Sequence, residues 1–410
     1  MIGGPSVIAG LDVGTTKTCA VIVEAPPAWS GEEAPTRILG VGLAPTEGVR
    51  NRTVTRIDAA TESIRDAVRD AELMAGREVE GLYVAVAGDH IGMGRSNGVV
   101  VVADEEVSQT DLDRVHEVAR AVALPADREL LHAIPLDYAV DGLWGIQDPL
   151  GMAATRLEAE AHIISGGATP CQNLRKAVDR AGYRIEELVL APLASHLAVV
   201  AEPELEAGVA LVELGGSATD LVVFRQDRLR LLASIPWGAI TVANDIVKGL
   251  GVPMGEAERL KDRYGAARAG QVDPAEKISV PGPLPGSTRQ VSRELLAHII
   301  EQRLDEIFGL VYQELEEVGL LGGLPGGLVL SGGGASLPGT VELAQEVFNT
   351  PVRLGVPGEG LNGLADAVRR PKFATAVGLA LYGRLRGQGR GGGLAGRAFA
   401  RVTDWLKDFF

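Results

Sequence analysis

Two glycine turns in this chain carry acids, hydroxyls and a cation at matched spacing. "AGLDVGTTKTCAVIV", beginning at Ala9, can be laid over "ALVELGGSATDLVVF", beginning at Ala210: acid, apolar residue, glycine, small residues, then a second apolar strand. Glycines such as Gly14, Gly215 and Gly216 let backbone N–H groups come close to a phosphate. The hydroxyls of Thr15, Thr16, Ser217 and Thr219 add donors, and Lys17 adds charge. Two such hairpins facing each other would clamp a polyphosphate from opposite sides. Asp12 and Glu213, at equivalent places, would hold a hydrated Mg2+, a cation that keeps its waters and needs only distant carboxylates. A third cluster, "LVLSGGGASLPG" from Leu328, follows a strand and precedes a helix. Its Gly332, Gly333, Gly334 and Ser336 let backbone pass close to a flat base or a phosphate.

The elements that must position these turns alternate along the chain. Short runs rich in Val, Ile and Leu interleave with helical patterns, which predicts an α/β protein with largely buried sheets. Strands are expected at 7–11, 19–24, 38–43, 82–87, 98–102, 188–190, 209–214, 221–224, 229–235 and 328–330. Helices are expected at 57–74, 111–123, 173–181, 239–249, 256–264, 292–318, 338–348 and 371–386. The repeated hairpin implies two related half-molecules. Residues 24–36 and the Pro-rich 279–290 read as loops, and the glycine-rich, basic 383–396 reads as a flexible tether.

Composition narrows the function. A net charge of −15 on 410 residues argues against nucleic acid as a partner of the body, since phosphate backbones are bound through clustered Lys and Arg. Two cysteines, Cys19 and Cys171, make neither a disulfide framework nor a metal cluster, which predicts a reducing compartment. No basic start with a long apolar core opens the chain, and no run of about 18 apolar residues occurs, so neither a secretory signal nor a spanning helix is expected.

The three glycine stretches resemble the phosphate-1, phosphate-2 and adenosine motifs of the actin, Hsp70 and sugar-kinase ATPase superfamily. "EAERLKDRYG" from Glu256 is similar to that superfamily's helix in which a Glu and a Lys three apart reach ribose and base, which implies those roles for Glu258 and Lys261. Across nearly the whole chain the resemblance is to the FtsA family of actin-like bacterial cell-division proteins. It is carried by "VDGLWGIQDPLGMAATRLEAEAHII" from Val140, "IPWGAITVANDIVKGLGVPMGEAERLK" from Ile235, "FNTPVRLGVP" from Phe348 and "PKFATAVGLALYG" from Pro371.

The resemblance implies an actin-like fold, two lobes around a cleft that binds ATP or ADP with Mg2+. It implies subdomain 1A at 1–83 and 165–205, a relocated 1C at 84–164, 2A at 206–240 and 293–386, and 2B at 241–292. It further implies self-assembly into filaments, later division proteins bound through 1C, and the C-terminal peptide of FtsZ bound near 2B, with Arg293, Arg303 and Glu306 the candidate contacts. Two departures bear on chemistry. Glu213 stands where superfamily members commonly have Asp. Ala191 precedes Pro192 where relatives tend to carry a water-orienting Glu or Gln, so ATP hydrolysis is expected to be weak at most. Two rivals remain: a platform of type IV pilus assembly similar to PilM, and a small-molecule kinase.

The chain ends "GRAFARVTDWLKDFF". On a helix over 397–410, Phe399, Val402, Trp405, Leu406, Phe409 and Phe410 form one apolar stripe, with Arg401, Asp404, Lys407 and Asp408 off it. From Gly383 onward six cations face two carboxylates. That predicts an amphipathic helix on an anionic membrane surface, joined to the body by a linker at 387–396. One such tail holds weakly, and a filament would supply many. The expected location is the cytoplasm, peripheral on the inner face of the membrane at the division site.

Overall fold

The computed structural model describes residues 6–27, 34–282, 284 and 286–389. Alternating Val, Ile and Leu residues make two sheets of the same plan. In the first lobe the strands run Arg184–Leu190, Gly81–Val86, Ser6–Val13, Lys17–Ala25, Thr36–Pro45 and Leu361–Gly363 across the sheet. In the second, Val352–Leu354, Leu328–Ser331, Val209–Leu214, Thr219–Arg225 and Arg228–Ile235 follow in the corresponding order. Each has an antiparallel three-stranded meander whose first strand also pairs, in parallel, with a later one. The duplication expected from the hairpins therefore extends to the sheets.

Helices cover both faces, as parallel strand pairs require. In the first lobe Ile57–Ala75 packs on Thr36–Pro45 so closely that a Cβ on Gly42 would lie 1.8 Å from the Ala67 carbonyl oxygen. On the other face Ala374–Gly389 crosses Ala191–Val199 at Gly378, where a Cβ would lie 1.9 Å from the Ala194 oxygen. The second lobe centres on the 25-residue helix Arg293–Glu317, which buries Leu296, Ile300, Leu304, Ile307, Phe308, Val311 and Leu315.

Between the first lobe's strands sits an insert. Gly92–Val101, Arg156–Gly167, Arg128–Val140 and Leu143–Ile146 form an antiparallel sheet in that order, with Gln109–Arg120 packed on one face. Ser108 caps that helix in a reciprocal box with Asp111. The insert is joined by chain to the first lobe yet bonded to the second: Arg228 and Arg230 pair with Asp137, each at 3.4 Å, and His162 Nε2 lies 3.2 Å from the Leu229 carbonyl oxygen.

One expectation needs correction. Residues 279–290 are not simply a loop, because Lys277–Pro281 and Thr288–Ser292 pair as an antiparallel hairpin whose Ile278, Val280 and Val291 join the second lobe's core. Pro281 stands at a strand end, where a missing N–H costs no ladder bond. The flexible tether expected over 383–396, with its linker at 387–396, is helical as far as 389, where Ala374–Gly389 runs on as one helix; the remainder and the tail lie outside the described residues. Among the described residues no helix is long and apolar enough to cross a membrane.

Burial also sets a pH dependence. His116, His132 and His196 are buried, and desolvation drives them from 6.5 to about 4, 3 and 4 respectively. His196 stacks on Phe224 with centroids 4.6 Å apart and neither ring nitrogen hydrogen-bonded. The unfolded chain takes up these protons just below pH 6.5, the folded chain only near pH 4 or lower. Their contribution is therefore intact above pH 6.5 and lost as pH falls through that window, on the order of 2 kcal/mol per histidine by pH 5. Thermal melts at pH 7.5 and 5.0 should show a lower midpoint in acid, and His196→Leu should shrink that difference.

Candidate functional site

The two glycine hairpins close in the same way. Gly14 N–H donates to the Lys17 carbonyl at 3.0 Å, and Gly215 N–H donates to the Ala218 carbonyl at 3.0 Å. Their tips meet: Thr15 Oγ1 and Ser217 Oγ are 2.8 Å apart. Around this meeting point lies a cleft of about 650 Å³, lined from the first hairpin by Asp12, Gly14, Thr15, Thr16 and Lys17 and from the second by Glu213, Gly215 and Gly216. Gly332, Gly333, Gly334 and Ser336 line another wall, and Glu258 and Lys261 line a further one. Gly332 has φ +82°, and a Cβ there would lie 2.5 Å from the Leu214 oxygen, so this cluster sits directly on the strand leading into the second hairpin.

Two of the hydroxyls expected in the cleft are placed otherwise. Thr219 is fully buried and donates to the Trp237 carbonyl at 2.8 Å. Its counterpart in the first hairpin, Thr18, is buried as well, with its hydroxyl 2.8 Å from that of Thr46. Alternation along a strand turns both away from the turn. Ser217 does not line the cleft and instead joins the tips of the hairpins. The charged trio lies away from the cleft in intrachain pairs. Arg293 bonds Glu276 at 2.7 Å and the Tyr264 carbonyl at 2.9 Å, while Arg303 contacts Asp245, Glu306 at 2.6 Å and the Trp237 ring at 4.9 Å. The apolar tail residues Phe399 to Phe410 fall outside the described residues.

The acids are held differently. Asp12 pairs with Lys17 Nζ at 3.2 Å. Glu213 is buried, its Oε1 accepting from Thr375 Oγ1 at 2.7 Å and its Oε2 from Ser195 Oγ at 2.9 Å. Burial pushes its carboxyl above the usual range, the charge of Asp220 adds to that, and Arg52 opposes it. Among the described residues no group of three or more His, Cys, Asp or Glu is placed to hold a metal directly. Two carboxylates lining one cleft, each oxygen keeping a spare lone pair, fit a cation held through its waters.

Sequence reasoning missed Arg52. It lies in the turn between Val49–Arg50 and Thr53–Val54, where Asn51 and Arg52 both have positive φ (47° and 60°), the type I′ geometry of a two-residue hairpin. Its backbone N–H donates to Thr15 Oγ1 at 3.2 Å, and its guanidinium pairs with Asp220 of the second lobe, which also accepts from Ser234 at 2.7 Å. Asp220 pairs across its hairpin with Glu213 as Cys19 does with Asp12, so the duplicated motif marks the acid, though nothing local marks its partner Arg52.

A family model described as "Cell division protein FtsA" matches residues 210–378, and one for the "SHS2 domain inserted in FTSA" matches 88–165, the insert described above. The chain is 40% identical over 376 residues to the cell division protein FtsA of Pseudomonas aeruginosa, covering 92% of this chain and 89% of that one. It is 40% identical to that of Neisseria meningitidis, with 98% of both chains covered. The chain belongs to the FtsA family. It is thus an actin-like cell-division protein. Solved structures agree on the fold: a PilM–PilN type IV pilus biogenesis complex (TM-score 0.66, 17% identity, 92% of this chain and 98% of that one) and MreB5 of Spiroplasma citri bound to ADP (TM-score 0.57, 12% identity, 94% and 99%). At those identities they speak to architecture alone.

Within the FtsA fold the helix Ala191–Val199 begins at the cleft, and Ala191 itself lines it. A methyl group there can neither orient nor deprotonate a water.

Proposed function

We propose that this protein binds ATP or ADP with Mg2+ between its lobes, assembles into filaments, and tethers FtsZ filaments to the inner face of the cytoplasmic membrane while helping to recruit later division proteins. The observation that carries this reading is the meeting of two identically closed glycine hairpins, with the third glycine cluster beside them, around one cleft. Gly14, Thr15, Thr16, Lys17, Gly215 and Gly216 would hold the phosphates, and Gly332, Gly333, Gly334, Ser336, Glu258 and Lys261 the nucleoside. When bound, the metal neutralises phosphate charge, and Asp12 and Glu213 would fix it through water. With Ala191 at the cleft, hydrolysis is weak and the nucleotide acts as an assembly clasp that favours the closed, filament-forming state.

In this reading subdomain 1A comprises 1–83 and 165–205, 1C 84–164, 2A 206–240 and 293–386, and 2B 241–292. Subdomain 1C receives later division proteins and a neighbouring subunit, and 2B with the start of the following helix receives the FtsZ peptide. Arg293, Arg303 and Glu306 reach that peptide only by exchanging present partners. The apolar stripe of 397–410 supplies the membrane contact. Full-chain likeness at 40% identity to FtsA proteins favours this reading over a pilus platform.

Liposome co-sedimentation tests the tether. With anionic vesicles the full chain should pellet, more so with ATP than with ADP, and a chain ending at Gly396 should stay in solution. Trp405→Ala or Phe409→Asp should detach the protein without changing nucleotide affinity. Equal pelleting of full and shortened chains would remove the anchor from the account.

A further inference from the structure

Five cations line the cleft: Lys17, Arg52, Lys261, Arg370 and Lys372. Three are neutralised in place, Lys17 by Asp12, Arg52 by Asp220 and Lys261 by Glu258. Among the described residues, Arg370 and Lys372 have no carboxylate partner, and the ammonium of Lys372 has the ring of Phe373 at 5.1 Å. The segment bearing them is firmly held. Ser331, next to Gly332, donates to the Pro371 carbonyl at 3.2 Å, and Phe373 packs with Cys19 and Val21 beneath the first hairpin. Two residues further on, Thr375 grips Glu213.

We propose that Arg370 and Lys372 are phosphate contacts of the bound nucleotide, a cationic wall supplied by "RRPKF" in addition to the three glycine motifs. Lys372 is half-buried and Arg370 exposed where they line the cleft, neither has a carboxylate beside it, and the ligand that supplies a counter-ion there is a polyphosphate. Lys372 lines the same cleft as Lys17, and burial lowers its pKa, with the charges of Arg370 and Lys17 lowering it further. An incoming phosphate removes that repulsion, so the contact is worth more in the bound state than a solvated lysine would be.

The inference rests on the nucleotide reading above, and the test separates the two. ATP, ADP and adenosine are titrated against the full-length wild type, Lys372→Gln, Lys372→Arg and the exposed-site variant Arg370→Gln, with thermal midpoints recorded for each. The expected result is ATP and ADP affinity about tenfold or more weaker in Lys372→Gln, a smaller loss in Arg370→Gln, most affinity kept in Lys372→Arg, and adenosine affinity unchanged throughout. Wild-type binding of ATP with unaltered affinity in Lys372→Gln and Arg370→Gln overturns this proposal and leaves the nucleotide reading standing. Equal weakening of adenosine also overturns it, by showing a contact to the base or damage to the fold. If the wild type binds none of the three, the nucleotide reading fails and this one falls with it.

Discussion

Arg52→Ala is expected to destabilise the fold by about 3 to 5 kcal/mol and to loosen one lobe from the other. Arg52 and Asp220 are nearly enclosed, with side chains 11% and 5% exposed, and they belong to opposite lobes. Removing the guanidinium strands a buried carboxylate next to Glu213, whose own charge is already disfavoured, and an unpaired buried charge costs about that much. The same change releases the turn that donates to Thr15, and with it the contact between Thr15 and Ser217. Denaturant unfolding should show a lower midpoint, and hydrogen exchange should quicken in both hairpins. Arg52→Ala combined with Asp220→Asn should recover part of the loss, because no unpaired charge is left behind. Unchanged stability in the single variant would mean that the pair is not what holds the lobes.

Glu213→Gln is expected to weaken ATP binding in magnesium by about 10- to 100-fold, the worth of one charge-assisted hydrogen bond, and to have little effect when the metal is chelated. The amide can still accept from Ser195 or Thr375, so the cage survives while the charge that would face a metal-bound water is lost. Titration of ATP with and without magnesium, for wild type and variant, measures this directly. A loss of equal size in both conditions would place the role of Glu213 in shaping the cleft, and no loss in either would remove it from the metal site.

The parts legible in the sequence are those that physical chemistry encodes locally. A glycine turn between alternating apolar strands states its own geometry, and a second copy states the duplication, so the hairpins and both meanders follow from "AGLDVGTTKTCAVIV" and "ALVELGGSATDLVVF". The insert's long strands Arg128–Val140 and Arg156–Gly167 escaped because His132, Pro135 and Asp137 interrupt one, while Glu158, Glu160 and His162 interrupt the other. Several of those polar groups turn out to be committed at junctions: His132 accepts from Leu190 N–H at 3.0 Å, and Asp137 pairs with Arg228 and Arg230. Thr219 reads as a turn residue from its place beside the glycines, yet strand alternation puts it on the buried side. Arg52, Arg370 and Lys372 carry no local signature, since what makes them cleft residues is contact made across the fold.

The central claim is that an adenine nucleotide sits between the two hairpins and joins the lobes. Calorimetric titration of the full chain with Mg-ATP, paired with hydrogen exchange on the same sample, tests it most directly. The account predicts saturable binding of one nucleotide per chain, with slowed exchange at Gly14 to Lys17, Gly215 to Ala218 and Gly332 to Ser336. Absence of saturable binding, or protection that avoids all three segments, would contradict it.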